Sequence, residues 1–161
     1  MDKPITSFRG KYEFLSNFYR CRVPITFEED DVTFEFGSAE AAFQAHKTTN
    51  VSDLIMLSQM TGSEAKKYGR KIKLRDDWDD IRLQVMRKVV LTKFACNWEL
   101  HDMLIATGQR ELIEGNTWGD TFWGVCDGKG ENHLGKILME VRALLIREKF
   151  IYQKFLYKEE E

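Results

Sequence analysis

The chain has 161 residues, a formal net charge of -2 at pH 7 and a sequence pI of about 6.0. This length predicts one domain, which we place over residues 1–161 with a core at about 8–148 and a tail at 149–161. The slightly acidic balance argues against a surface that holds long stretches of nucleic acid, but it allows a short nucleotide or one modified base.

In the first third of the chain, extended structure is predicted at residues 12–15 and 21–27. An acidic turn follows at residues 28–31, and apolar residues alternate again at 32–36. A period of two residues is typical of a strand with one buried face. We therefore expect a hairpin that packs one side on the core.

The rest of the chain reads mostly as helix. Ser38 is suited to cap a helix, and Gly108 is suited to end one. A short strand is predicted at residues 111–114, and a glycine-rich loop follows at 115–131. The predicted helices lie at residues 39–47, 53–60, 63–71, 78–97, 100–107 and 132–148. The fold class expected is α+β, mostly helical with a small antiparallel sheet.

The three cysteines, Cys21, Cys96 and Cys126, are widely spaced and form no CxxC pair, which is typical of free thiols in a reducing compartment. No 18-residue apolar run appears, so no secretory or transmembrane segment is predicted. We expect a cytoplasmic protein without a membrane partner.

Polar residues interrupt an aromatic segment near the N-terminus, where Ser16 and Asn17 precede Phe18. One interpretation is a Ser or Asx turn at a strand end. The other is an amide that fixes a ligand between aromatic side chains.

The helix predicted after Ser38 carries Glu40, Phe43, Gln44 and Lys47 on one face, at positions i, i+3, i+4 and i+7. Because Phe43 favours an inward orientation, this face is predicted to line a cleft. The alternative is a solvated face, with Glu40 stabilised near the helix N-terminus.

The glycine-rich loop places Asp120 between Trp118 and Trp123, with Glu114 just before it. Gly124 allows close backbone approach to a ligand. Asn132 opens the last helix, whose N-terminus favours an anion such as phosphate. The alternative is a structural loop that Asn132 caps.

Other classes of site find no support. The three histidines are isolated, and neither a GxSxG motif nor a P-loop occurs. We therefore expect neither a metal nor a cofactor.

Five blocks in order resemble the YbiA-like or NADAR family, and together they cover residues 8–142. They are FRGKYEFLSNFY at 8–19, SAEAAFQAHK at 38–47, WDDIRLQVMRKVVLTKF at 78–94, LIATGQRELIE at 104–114 and DTFWGVCDGKGENHLGKILMEVR at 120–142. The resemblance implies a YbiA-like α+β fold and N-glycosidase activity. It implies as substrate either a ribosylamino-pyrimidine phosphate of riboflavin synthesis or ADP-ribosylated guanine in nucleic acid.

The family blocks also imply which residues form the site. They supply Glu40 and Lys47 from the second block, and the remaining positions are Asp120, Trp123, Gly124, Ser16, Asn17 and Asn132. The chain departs from the family pattern at Ala41-Ala42 and at residues 125–127, which bears on substrate choice.

We expect Glu40 and Asp120 to act as a carboxylate pair at the ribosyl C1, with Glu114 in reserve. Lys47 has two roles open to it, binding a phosphate or forming a Schiff base with the opened sugar. Trp118 and Trp123 are expected to stack on the base. Two other functions stay open at this point: a non-catalytic module that binds ADP-ribose or a nucleotide, and a structural partner in a larger complex. The oligomeric state is unreadable from the sequence.

Overall fold

The computed structural model describes residues 2–156, and it describes side chains as far as residue 150. The hairpin strands come first, after a 3-10 helix, and a long helix comes last. In chain order the elements are the 3-10 helix Gly10–Leu15, β1 Ile25–Glu29, β2 Val32–Phe36, α1 Ala39–Ala45, α2 Val51–Ser58, α3 Gly62–Gly69, α4 Trp78–Cys96, α5 Trp98–Ala106, β3 Gly115–Asn116, β4 Val125–Cys126 and α6 His133–Leu156.

The predicted hairpin is confirmed. β1 and β2 pair antiparallel, with Ile25 opposite Phe36 and Phe27 opposite Phe34, and these four side chains are buried. The two-residue turn between the strands has positive φ at both positions, which is the geometry of the tight turns that match strand twist. One face of the hairpin therefore packs on the core.

Helix α1 lies at the centre of the molecule. It contacts α2, α3, α4 and β2, and all seven of its residues are buried. Ser38 caps it as predicted, because its Oγ accepts a 3.2 Å hydrogen bond from the N–H of Ala41. Alanine at 39, 41, 42 and 45 lets the neighbouring elements approach closely. The alternative interpretation of the sequence, in which α1 has a solvated face, is therefore wrong.

Helix α3 docks on α1 through glycines. A Cβ on Gly62 would lie 3.3 Å from the Cβ of Glu40, and a Cβ on Gly69 would overlap the side-chain oxygen of Gln44. A capping box between Thr61 and Glu64 begins α3. The backbone of α3 is thereby fixed against α1.

The other main packing layer joins α4 with α5 and α6. The apolar stripes of α4 and α6 are buried, apart from Ile81, which is only partly buried. Within the described residues, every helix is too short or too polar to cross a bilayer.

Several predicted elements differ from the structure. Residues 12–15 lie in a 3-10 helix instead of a strand, and β1 begins only at Ile25, leaving Val23 exposed. At residues 111–114 only Leu112 pairs, as an isolated bridge to Ile5. The glycine-rich loop contains an unpredicted parallel pair, β3 with β4. The last helix extends to Leu156, into the predicted tail, and residues 157–161 of that tail lie outside the described part of the chain.

Candidate active site

A cavity of about 210 Å³ opens between the segment that follows the 3-10 helix, α1, α3 and the glycine-rich loop. All the predicted site residues line it except Gly124 and Asn132. The lining residues are Ser16, Asn17, Phe18, Glu40, Phe43, Gln44, Lys47, Lys66, Met86, Glu114, Trp118, Asp120, Trp123 and Leu134. The early helix and the tryptophan-rich loop thus meet around one space.

A larger open groove, of about 500 Å³, lies between residues 19–23 and 97–100. Its single carboxylate, Glu99, is exposed and lies 3.9 Å from Arg22. The smaller cavity is the stronger candidate because its carboxylates and amines converge away from solvent.

Glu40 and Gln44 form a buried pair on α1. Nε2 of Gln44 donates a 2.7 Å hydrogen bond to Oε1 of Glu40. Burial raises the pKa of Glu40, and the Gln44 hydrogen bond and the nearby lysines oppose that rise only in part. The Oε1 atom of Gln44 is buried and accepts no hydrogen bond from the described residues.

Glu114 reaches the cavity from the start of the glycine-rich loop. Its carboxyl oxygen Oε2 is buried without a hydrogen-bond partner among the described residues. Burial, and then the negative charge of Asp120, raise the pKa of Glu114 to about 7. A carboxyl group with this pKa can donate or accept a proton near neutral pH.

Asp120 is held by its own loop. Its Oδ1 accepts hydrogen bonds of 2.9 Å from the N–H of Trp123 and 3.2 Å from the N–H of Phe122. Asn116 brackets the same residue, accepting from the N–H of Asp120 at 3.0 Å and donating to its carbonyl at 2.7 Å. These bonds explain how a long loop presents one carboxylate in a fixed position.

Lys47 follows α1 and faces the cavity beside aromatic rings. Its ammonium lies 5.7 Å from the centre of the Phe43 ring and 5.8 Å from that of Trp78. Burial lowers the pKa of Lys47, and the positive charges of Lys66 and Arg70 act in the same direction, whereas Glu40 opposes them. The amine is therefore easier to deprotonate than an exposed lysine.

Aromatic side chains form the walls. Trp123 packs edge-on against Phe43, with ring centres 5.3 Å apart, so it belongs partly to the core. Trp118 and Phe18 are exposed by 53% and 40%. These two rings are the ones free to stack on a flat ligand.

Ser16 forms a turn through its side chain, since its Oγ accepts a 3.1 Å hydrogen bond from the N–H of Phe18, as one of the two interpretations of the sequence expects. The turn follows the 3-10 helix instead of a strand. Sequence reasoning missed its anchor, the buried Lys93. The ammonium of Lys93 donates to the carbonyls of Phe14 at 2.7 Å and Ser16 at 2.8 Å. The sequence did contain a sign of this role, because Lys93 lies among the apolar residues on the buried side of α4.

Gly124 and Asn132 lie behind the cavity. A Cβ on Gly124 would overlap the carbonyl of Glu114. Asn132 accepts a 3.0 Å hydrogen bond from the N–H of Glu114 and donates to the carbonyl of Leu112. The hydrogen bonds of Asn132 thus position Glu114. In the first turn of α6, Leu134 lines the cavity, but its N–H donates to the carbonyl of Trp123 at 3.0 Å.

The lining also includes residues that the sequence did not single out, namely Lys66, Met86 and Leu134. Lys66 sits in a charged run on α3 that resembles any solvated helix, so the sequence carried no signal for it. Among the described residues, no three His, Cys, Asp or Glu side chains are grouped to hold a metal ion.

A family model of the NADAR domain matches residues 6–146. A riboflavin biosynthesis protein of Vibrio vulnificus is 36% identical over 151 residues, which cover 90% of this chain and 39% of that protein. An N-glycosidase of Nostoc punctiforme is 38% identical over 114 residues, covering 66% of this chain and 72% of that protein. The match thus spans well under half of the Vibrio relative.

The NMR structure of the Escherichia coli protein YbiA is similar to this fold, with a TM-score of 0.76 and 32% sequence identity. The similarity covers 93% of this chain and 89% of that one. It confirms the YbiA-like α+β fold that the sequence blocks imply.

Proposed function

The chain belongs to the NADAR domain family, and from this premise we propose that it hydrolyses the C1–N bond of a ribosylated base. One observation carries the proposal: a single cavity gathers three carboxyl groups, Glu40, Glu114 and Asp120, around the amine of Lys47. The relatives named as N-glycosidase and riboflavin biosynthesis protein support this class of reaction.

In the proposed reaction, the bonding electrons leave with the base nitrogen and positive charge develops at C1. Glu114 donates the proton that the leaving nitrogen needs, because a carboxyl group with a pKa of about 7 is partly protonated at neutral pH. Asp120, held by the N–H groups of Trp123 and Phe122, stabilises the positive charge. Glu40 takes the proton from the water that adds to C1.

A covalent route is favoured by a separate observation at Lys47. Desolvation and a neighbouring cation, here Lys66, are the conditions that make a lysine nucleophilic. In this route the neutral amine adds to C1 of the ring-opened substrate, and the base leaves with a proton from Glu114. Water then hydrolyses the lysine–sugar imine and releases the sugar and the free amine.

The substrate we propose is a ribosylamino-pyrimidine phosphate of riboflavin synthesis. The small cavity and the net charge of -2 suit a free nucleotide-like molecule better than a nucleic-acid strand. ADP-ribosylated guanine in nucleic acid is the second candidate, because it carries the same kind of C1–N bond.

Both substrate types should be incubated with the protein at an enzyme concentration far below that of substrate, and the released base identified by mass spectrometry. Repeated turnover with the pyrimidine substrate is the expected result. Stoichiometric binding without release would instead make the chain a binding module. Borohydride added during turnover tests the covalent route: a sugar adduct on Lys47, absent from Lys47→Arg, supports it, and no adduct leaves the carboxylate route.

A further inference from the structure

The two lysines that line the cavity, Lys47 and Lys66, have different surroundings. Lys66 lies within electrostatic range of Glu40, Glu114 and Lys47, since its positive charge lowers the pKa of all three groups. Lys47 lies beside the Phe43 and Trp78 rings, whereas Lys66 lies beside the exposed Phe18 ring. The two lysines are therefore placed for different tasks.

Lys66 keeps its hydrogen-bonding capacity free. Among residues 2–150, no carboxylate lies within ion-pair distance of its ammonium and no group accepts a hydrogen bond from it. Its ammonium lies 5.3 Å from the centre of the Phe18 ring, at the exposed edge of the cavity. Three N–H donors are thus held at the cavity mouth without a protein acceptor.

The backbone under Lys66 is rigid. Gly62 and Gly69 lock the two ends of α3 against α1, and the Thr61–Glu64 capping box fixes its first turn. The adjacent Lys67 belongs to the same helix but is exposed and does not line the cavity. The point from which the Lys66 side chain extends is therefore fixed, so binding a ligand does not have to order the backbone as well.

We propose that Lys66 forms a subsite for a phosphoryl group carried on C5 of the substrate ribose, an inference that rests on the proposed function. An ammonium with free donors at the edge of a carboxylate-lined cavity selects a ligand with an anionic group on its outer end. C1 must lie among the carboxylates, so the C5 end of the same sugar is left to point toward the mouth. At the N-terminus of α6, the position the sequence favours for phosphate, the N–H groups of His133 and Leu134 already donate to the carbonyls of Phe122 and Trp123.

Ribose 5-phosphate and ADP-ribose are suitable probes, because they carry the group as a monoester and as a diphosphate. Their affinities should be measured by calorimetry on the wild type, Lys66→Met and the matched control Lys67→Met. Lys66→Met should weaken binding of ribose 5-phosphate about tenfold or more, the effect of losing one charge-assisted hydrogen bond. Lys67→Met should bind like the wild type, and Lys66→Arg should recover part of the loss. If Lys66→Met loses affinity for both probes, the subsite accepts any 5-phosphoryl group. If it loses affinity for ribose 5-phosphate alone, the subsite is specific for the monoester.

Equal affinities for Lys66→Met and the wild type would overturn the subsite, as would an equal loss in Lys67→Met or a wild type that binds neither probe. The binding measurement requires no turnover, so it is separate from the proposed function. If the wild type binds ribose 5-phosphate through Lys66 yet releases no base, the proposed activity is refuted and the subsite is supported.

Discussion

Glu40 and Gln44 share a buried 2.7 Å hydrogen bond one helical turn apart on α1. Glu40→Gln preserves the size of this side chain, but the amide can neither carry a negative charge nor exchange a proton. We expect turnover to fall by at least about two orders of magnitude with the fold intact. Steady-state rates and thermal unfolding should be compared with Glu35→Gln, an exposed change on β2. Near-normal turnover in Glu40→Gln would remove this residue from the mechanism.

The raised pKa of Glu114 predicts how the rate falls at alkaline pH. Because the pKa of Glu114 is raised to about 7, a general acid at this position is lost as the pH rises through that value. kcat/KM should therefore fall above about pH 7, and Glu114→Gln should show a lower rate without that alkaline limb.

Asp120→Asn also tests the assignment of Glu114 as the general acid, because Asp120 is its charged neighbour. The negative charge of Asp120 raises the pKa of Glu114, so its removal should move the alkaline limb to lower pH. A limb that stays in place would show that another group titrates.

Gly69→Ala tests the docking of α3 on α1. The added methyl group would overlap the Gln44 side chain, which must shift and release Glu40. We expect a loss of stability of about 1–3 kcal/mol, as for other overpacked sites, together with reduced turnover. Gly37→Ala is the control, because a Cβ there meets no atom within 4 Å. Equal behaviour of the two variants in chemical denaturation would contradict this account.

Asn116→Ala should loosen the loop that presents Asp120. It removes the hydrogen bonds to the N–H and carbonyl of Asp120 and to the carbonyl of Val125. Partly buried groups would be left unpaired, so we expect a loss of about 2–3 kcal/mol in the free energy of unfolding and a lower kcat. Asn50→Ala, which removes the cap of α2, should cost about 1 kcal/mol and leave kcat unchanged.

Lys93 predicts a change of stability with pH. Burial lowers the pKa of Lys93 to about 8 from an ordinary value of 10.5, so between these values the unfolded chain binds more protons than the folded one. The contribution of Lys93 to the free energy of unfolding should therefore rise from pH 8 to pH 10.5, by an amount on the order of 3 kcal/mol.

Urea unfolding at pH 7.5 and pH 10 should show this as a growing advantage of the wild type over Lys93→Met. Lys88→Met, an exposed change on the same helix, should show no such trend. A wild-type advantage that is constant with pH would mean that Lys93 is already neutral, or still charged, throughout this range.

The sequence predicted what depends on local periodicity. The face of α1 that carries Glu40 and Lys47 follows from helical spacing, and the hairpin follows from alternation at residues 25–36. The loop around Asp120 stands out in the sequence because glycines and tryptophans interrupt the helical pattern.

The remainder depends on long-range contacts. Lys66 enters the site only because Gly62 and Gly69 let α3 dock on α1, and no local pattern records that docking. Leu112 was predicted in a strand, but its pairing partner is Ile5 at the far end of the chain. Gly124 lies in the glycine-rich loop and Asn132 directly follows it, yet the path of the backbone places both behind Glu114.

The cavity walls come from segments far apart in the chain, represented by Asn17, Glu40, Lys66 and Asp120. No continuous peptide excised from this protein would therefore retain its chemistry, since each wall is complete only when the others have docked. Release of any one segment would remove one wall of the cavity. Conversely, an occupied cavity would clamp all four segments together and raise the unfolding temperature of the whole molecule by mass action.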